Sequence, residues 1–212
     1  MRKTEDKIAM VTGAGTGLGR AIAITLAKEE FKVVLTGRRE QELRKVETEI
    51  GKERAIVLPA DVTNEQSIGE LHEALLEHTG GYLDVLVNNV GGVPAVGTIG
   101  EITPDKWKLV MDTNLTSQYL VTQAFLPALR KTNNGKIISV TSAMAHFFMK
   151  GFGAYSASKA AVEALMKTVA EEEKEHGIEV HLFDPGNVVS QGNPQGEKDP
   201  METMGKIIDM IK

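Results

Sequence analysis

Thr12-Gly13-Ala14-Gly15-Thr16-Gly17-Leu18-Gly19 follows a short aliphatic run, Ile8-Ala9-Met10-Val11, and leads straight into a segment of helical period. Glycine tolerates positive φ and lets a backbone approach a diphosphate at a helix N-terminus, where free N–H groups and the helix dipole favour anions. The spacing is T-G-x-x-x-G-x-G, since Leu18 stands where G-x-G-x-x-G would need its last glycine. Tight packing alone would also use glycine. Placed between an N-terminal strand and a helix, the turn points to a dinucleotide, with Gly13, Thr16, Gly17, Leu18 and Gly19 as candidate contacts.

Outward from that turn, strand-like and helix-like segments alternate. Aliphatic and β-branched runs at 8–11, 33–35, 55–58, 85–87, 137–140 and 178–183 read as six strands. They lack the polar alternation of a half-exposed sheet, so they suit a parallel sheet buried on both faces. Helical patterns fall at 17–30, from 39 to before Gly51, at 64–78, from Pro104 to about 130, and at 154–176. Thr103 is placed to cap the fourth, and Pro127 would kink it or end it early. The pattern predicts an α/β fold: a doubly wound, Rossmann-like parallel sheet of six strands flanked by helices. Its ligand belongs beyond the C-terminal strand ends. The 212 residues suit one dinucleotide-binding and catalytic domain over 1–212. A stretch rich in Gly, Pro, Asn and Gln at 187–200 reads as a mobile loop on the substrate side.

Composition removes several function classes. A formal net charge of -5 gives no broad basic footprint for nucleic acid. With no cysteine there is no disulfide, thiolate metal site or cysteine nucleophile. His146 has no companion cluster, so no metal site is expected. No apolar stretch approaches the roughly eighteen residues of a membrane span, and the charged start 1–7 carries no signal-peptide core. A cytoplasmic protein with no membrane and no nucleic-acid partner is expected.

The end of the second strand separates the two nicotinamide cofactors. An acidic residue there holds the ribose 2′-OH and repels a 2′-phosphate. Here the chain reads Thr36-Gly37-Arg38-Arg39, with no carboxylate and with a guanidinium fork suited to a phosphate. Two arginines at a helix start are unfavourable unless an anion joins them. NADP(H) is expected over NAD(H).

Tyr155-Ser156-Ala157-Ser158-Lys159 opens the fifth helix, its four-residue offset stacking Tyr155 and Lys159 on one face. Alone, such a pair is ordinary helix surface. Its company changes the reading, because Ser142 ends the fifth strand thirteen residues earlier. In order along the chain stand Thr12-Gly13, Gly17 and Gly19; Asp61; Asn88-Asn89-Val90-Gly91; Asn114; Ser142; Tyr155 and Lys159; and Pro185-Gly186. Over residues 5–190 this set resembles the short-chain dehydrogenase/reductase family in its single-domain branch, including its 3-oxoacyl reductase-like and carbonyl reductase-like members.

The resemblance implies an NADP-dependent oxidoreductase acting on CH–OH and C=O groups of a small molecule. Tyr155 would be the general acid in reduction and Ser142 would hydrogen-bond the substrate carbonyl. Lys159 would lower the phenol pKa and hold the nicotinamide ribose, and Asn114 would hold a water of the proton relay. Asp61, with Val62 beside it, would meet the adenine, while Asn88 and Gly91 would line the cofactor cleft together with Pro185, Gly186, Val188, Arg38 and Arg39.

Three residues depart from the family pattern: Val90 for Ala, Ser190 for Thr, and Asp184 for a small neutral residue. Only 26 residues follow Gly186. They offer one short amphipathic helix over 200–212 and no seventh strand, so the expectation is a homodimer, with a tetramer built through that strand in doubt. Met144, Phe147, Phe148, Met149 and Phe152 between Ser142 and Tyr155 suit either an apolar substrate pocket or packing. A second reading is a catalytically weak NADP(H)-binding regulatory module or subunit.

Overall fold

The computed structural model describes residues 7–189 and 193–212. Ser190 lies outside them, so its place after the Pro-Gly turn is not described. The chain runs β1 (Ile8–Thr12), α1 (Gly17–Lys28), β2 (Lys32–Gly37), α2 (Glu40–Ile50), β3 (Ala55–Pro59), α3 (Glu65–Thr79), β4 (Val85–Asn88), α4 (Pro104–Met111), α5 (Ser117–Arg130), β5 (Lys136–Val140), α6 (Gly153–Glu172), β6 (Glu179–Phe183) and α7 (Met204–Ile211). All strand pairs are parallel, in the order β3-β2-β1-β4-β5-β6. The expected six-stranded doubly wound α/β sheet is therefore present.

Strand alternation divides the core into two layers. Ala9, Val11, Val33, Leu35, Val85, Val87, Ile138 and Val140 face α1, α2 and α7. Ile8, Met10, Val34, Leu86 and Ile137 face α3, α5 and α6. Successive side chains of a strand point to opposite faces, and both faces of the central strands β1 and β4 are covered, so these are buried along their whole length, whereas the edge strand β6 carries the exposed Glu179. Helix α7 completes the first layer with Met204, Ile207 and Ile211. Its spacing was legible in the sequence, and its apolar stripe explains why this short helix packs against the sheet.

The long helical pattern from Pro104 is continuous but not uniform. Thr103 caps it, its hydroxyl accepting from Lys106 N, and α4 passes into α5 through a π-helical stretch, Asp112–Thr116. Pro127 lies inside α5 without ending it. Its ring removes a backbone donor, but Pro127 and Gln123, one turn back, are both exposed, so water can serve the freed carbonyl.

The strand order reverses between β1 and β4. A cleft opens beyond the C-terminal ends of these strands, where a doubly wound sheet places its ligand. Among the described residues, no helix is long and apolar enough to cross a membrane. Nor does any group of three or more His, Asp and Glu there form a set able to hold a metal.

Candidate active site

The cleft has a volume of about 530 Å³. Its β1 end is a surface of backbone. Gly13 and Gly17 hold φ of 68° and 54°, which the turn needs and which a side chain would strain. A Cβ on Gly19 would stand 2.1 Å from Gly13 O, so the helix reaches the turn only because position 19 has no side chain. Such a cradle fits a diphosphate: backbone N–H groups converge at the start of α1, with no side chain to fill the space. Thr16, Leu18, Arg38, Arg39, Asp61 and Val62 line the same end. Arg39 donates to Thr16 Oγ1 at 3.1 Å, and Arg38 is exposed and projects no hydrogen bond onto the protein among the described residues. Asp61 accepts from Thr63 N and Thr63 Oγ1 at 3.0 and 2.7 Å. Burial pushes its carboxyl up, but the Thr63 bonds and the Arg38 charge outweigh that and hold it below its ordinary value.

Between the two ends, Thr12 ties β1 to β4. Its hydroxyl donates to Val87 O at 3.3 Å and accepts from Asn89 N and Val90 N at 2.9 and 3.0 Å. Asn89 returns the contact, its Nδ2 donating to Thr12 O at 2.7 Å. Asn88, expected to line the cleft, does not. It shares the face of Leu86, points toward α5, and donates to Thr122 Oγ1 at 2.9 Å. The physical reason is strand alternation: Asn88 is the last residue of β4, and Asn89 is the first beyond the sheet that can turn toward the glycines. Sequence reasoning missed Asn89 and Thr12 as the tie, although counting alternation from Val85 would have found it.

The other end of the cleft collects Gly91, Ser142, Tyr155, Lys159, Asp184, Pro185, Gly186 and Val188. Lys159 is 2% exposed and donates to Val140 O at 2.9 Å. Ser142 caps the turn at Ala143–Ala145, its oxygen accepting from Met144 N, and its hydroxyl also meets the Tyr155 phenol. Asn114 lies behind this wall in the π-helical stretch, fully buried. Its Oδ1 accepts from Gly92 N at 2.8 Å, and its Nδ2 donates to Gly92 O and Val110 O at 2.9 and 3.1 Å. A Cβ on Gly91 would stand 2.9 Å from Asn114 Oδ1 and 3.2 Å from Lys159 Nζ. The bare backbone there lets loop, helix and ammonium meet. A π-helical insertion of this kind is often found at functional sites.

Electrostatics at this end differ from the expectation. Lys159 was expected to lower the Tyr155 pKa. Instead burial pushes the phenol above its ordinary value, the Ser142 hydroxyl opposing that and the Asp184 carboxylate adding to it. The ammonium stands 5.8 Å from the centre of the tyrosine ring. Lys159 itself is lowered to about 8 by burial, with Asp184 opposing the fall. Burial thus favours the protonated phenol. Asp184, also fixed by accepting from Gly186 N at 2.8 Å, is the charge that acts on both groups.

With this geometry in place, comparison with known proteins gives its class. The sequence profile of the short chain dehydrogenase family matches residues 7–200, and the chain belongs to that family. It is 34% identical over 203 residues to an uncharacterized oxidoreductase of Staphylococcus aureus, covering 93% of this chain and 87% of that one. A short chain dehydrogenase from Salmonella enterica serovar Typhi superposes with a TM-score of 0.90 at 27% identity, covering 98% of this chain and 90% of the other. A metagenomic short-chain oxidoreductase solved in complex with NADP superposes with a TM-score of 0.85 at 31% identity, covering 97% and 90%. The protein is an oxidoreductase of this family.

Proposed function

We propose that the protein is an NADPH-dependent carbonyl reductase, working also in reverse on secondary alcohols, with Tyr155 as its general acid. The observation that carries this reading is the joining of Ser142, Tyr155 and Lys159 in one cleft with the glycine cradle. The structural relative solved with NADP supports the choice of cofactor. So does the Arg38-Arg39 pair, which faces the cleft with no acidic residue at the end of β2. NADP(H), when bound, supplies or accepts the hydride at its nicotinamide C4.

The chain's own residues have the remaining tasks. The glycine turn and Asp61 orient the cofactor's adenosine diphosphate, and Arg38 and Arg39 bind its 2′-phosphate. Lys159 holds the nicotinamide ribose through its ammonium. Ser142 donates to the substrate carbonyl oxygen, and Tyr155 delivers its phenolic proton to the same oxygen as charge develops there. A water between Asn114 and Lys159 returns a proton toward the site. The position of Asn114 behind Gly91 supports this role: both Nδ2 protons go to Gly92 O and Val110 O, which leaves the second lone pair of Oδ1 for the water.

The stretch 187–200 is proposed as the substrate-side loop, since Val188 and Asn193, among its described residues, line the cleft. A homodimer and a single functional domain complete the proposal. The second reading, a catalytically weak NADP(H) sensor, would have no use for a buried lysine beside a protonated tyrosine. Oxidation of NADPH and of NADH across ketones, diketones, quinones and 3-oxoacyl thioesters tests the choice. Turnover with a clear preference for NADPH is expected. Tight NADPH binding with no turnover on any of them would favour the sensor instead.

A further inference from the structure

The stripe of α6 that carries Tyr155 and Lys159 continues one turn further to Glu163, and the mechanism above gives that carboxylate no task. Glu163 is 8% exposed. Its Oε1 accepts from Thr141 Oγ1 at 3.0 Å, and its Oε2 lies 2.9 Å from His146 Nε2 and 3.8 Å from Lys167 Nζ. Thr141 immediately precedes Ser142, and His146 ends the short turn that Ser142 caps. One carboxylate therefore grips both flanks of the serine. A buried carboxylate is a poor way to gain stability, because its desolvation offsets most of what its partners return. Its value lies in geometry.

Ser142 and Tyr155 must converge on one carbonyl oxygen, yet they come from different elements, the end of β5 and the start of α6. We propose that Glu163 is a positioning residue that clamps segment 141–146 to α6 and so fixes the Ser142 hydroxyl relative to Tyr155. The proposal rests on the carbonyl reductase reading of the site. Because α6 is a continuous helix, the grip at Glu163 is carried rigidly to Tyr155 two turns away. The two contacts differ in weight. Thr141 is buried, whereas the His146 side chain is 73% exposed and its arm is open to water. The Thr141 arm should therefore carry most of the effect.

The test measures kcat and KM for NADPH-driven reduction in the full chain. Glu163→Ala is expected to lower kcat by about 10-fold to 100-fold, the scale of a misplaced reacting group, with NADPH affinity changed by less than about twofold. Glu163→Gln, which can still accept from Thr141, should stay within about threefold of the parent. Introduced into Ser142→Ala, Glu163→Ala should cost nothing more, since the group it positions is gone. Independent, multiplying losses in the double variant, or full kcat in Glu163→Ala, would overturn the proposal. If Glu163→Ala does not fold, Thr141→Val removes the stronger arm instead: a loss of kcat that disappears in the Ser142→Ala background supports the clamp, and full kcat in Thr141→Val overturns it. Amide hydrogen exchange separates this proposal from the reading beneath it. Faster exchange over 141–149 in the Glu163 variant supports the clamp even if no carbonyl substrate turns over, and unchanged exchange refutes it. Turnover retained in Tyr155→Phe would refute Tyr155 as the proton donor, and no turnover on any carbonyl would refute the reductase assignment, neither outcome altering the exchange result.

Discussion

The two ends of the cleft are built on opposite principles. Around β1 the protein removes side chains: Gly13, Gly17 and Gly19 leave a backbone surface whose shape and N–H groups suit a diphosphate. Around β5 and α6 it buries polar side chains, with Asn114, Lys159 and Glu163 all sheltered from water and all hydrogen-bonded. A surface of backbone suits a large ligand bound in one fixed way. Proton transfer needs groups whose pKa can be moved, and burial moves them.

The contrast can be broken at several points. The largest effect is expected at the polar end: Tyr155→Phe should reduce kcat by about 10³-fold or more while NADPH binding, followed by its fluorescence, stays near that of the parent. A variant that keeps its turnover would move the proton donor elsewhere. At the glycine end the order of losses should invert. Gly19→Ala forces a Cβ toward Gly13 O and should cost about 1–3 kcal/mol of stability by overpacking, seen as a lower Tm, together with weaker NADPH binding. Its kcat at saturating NADPH should fall far less than in Tyr155→Phe.

The smallest expected effect is a shift in pH dependence. Burial holds Lys159 at about 8, so its ammonium is present below that pH and lost above it. In reduction, kcat/KM should therefore be level on the acid side and fall as pH rises through about 8. Asp184 holds the lysine up against burial, so Asp184→Asn should move this limb to lower pH. A limb that moves upward, or stays in place, would show that Asp184 does not act on this ammonium.

The same contrast decides what could be read in the sequence. The glycine end was legible because its chemistry is the absence of side chains at fixed spacing after a strand, and the structure brings Gly13, Thr16, Gly17, Leu18, Gly19, Arg38, Arg39, Asp61 and Val62 to one cleft. At the polar end the sequence marked Ser142, Tyr155, Lys159 and Asn114 as candidates, but not the contacts that hold them in place. Asn88 and Asn89 are adjacent, and strand alternation, not residue type, sends the first to Thr122 and the second to Thr12. The π-helical stretch at Asn114 leaves no mark in the hydrophobic period. Glu163 reads as helix surface until β5 is laid beside α6. The phenol's pKa was misjudged because the Tyr–Lys spacing shows proximity, whereas burial, which dominates here, is a property of the assembled fold.

Hydride transfer from NADPH to a carbonyl carbon in this cleft can be followed atom by atom. NADPH carrying deuterium at the transferred position of nicotinamide C4 would be incubated with the protein and the best carbonyl from the panel, and the alcohol product examined by mass spectrometry and NMR. One deuterium is expected on the carbinol carbon of the product, and none in the same experiment with Tyr155→Phe. An alcohol without label, or NADPH that is bound and never oxidised, would contradict it.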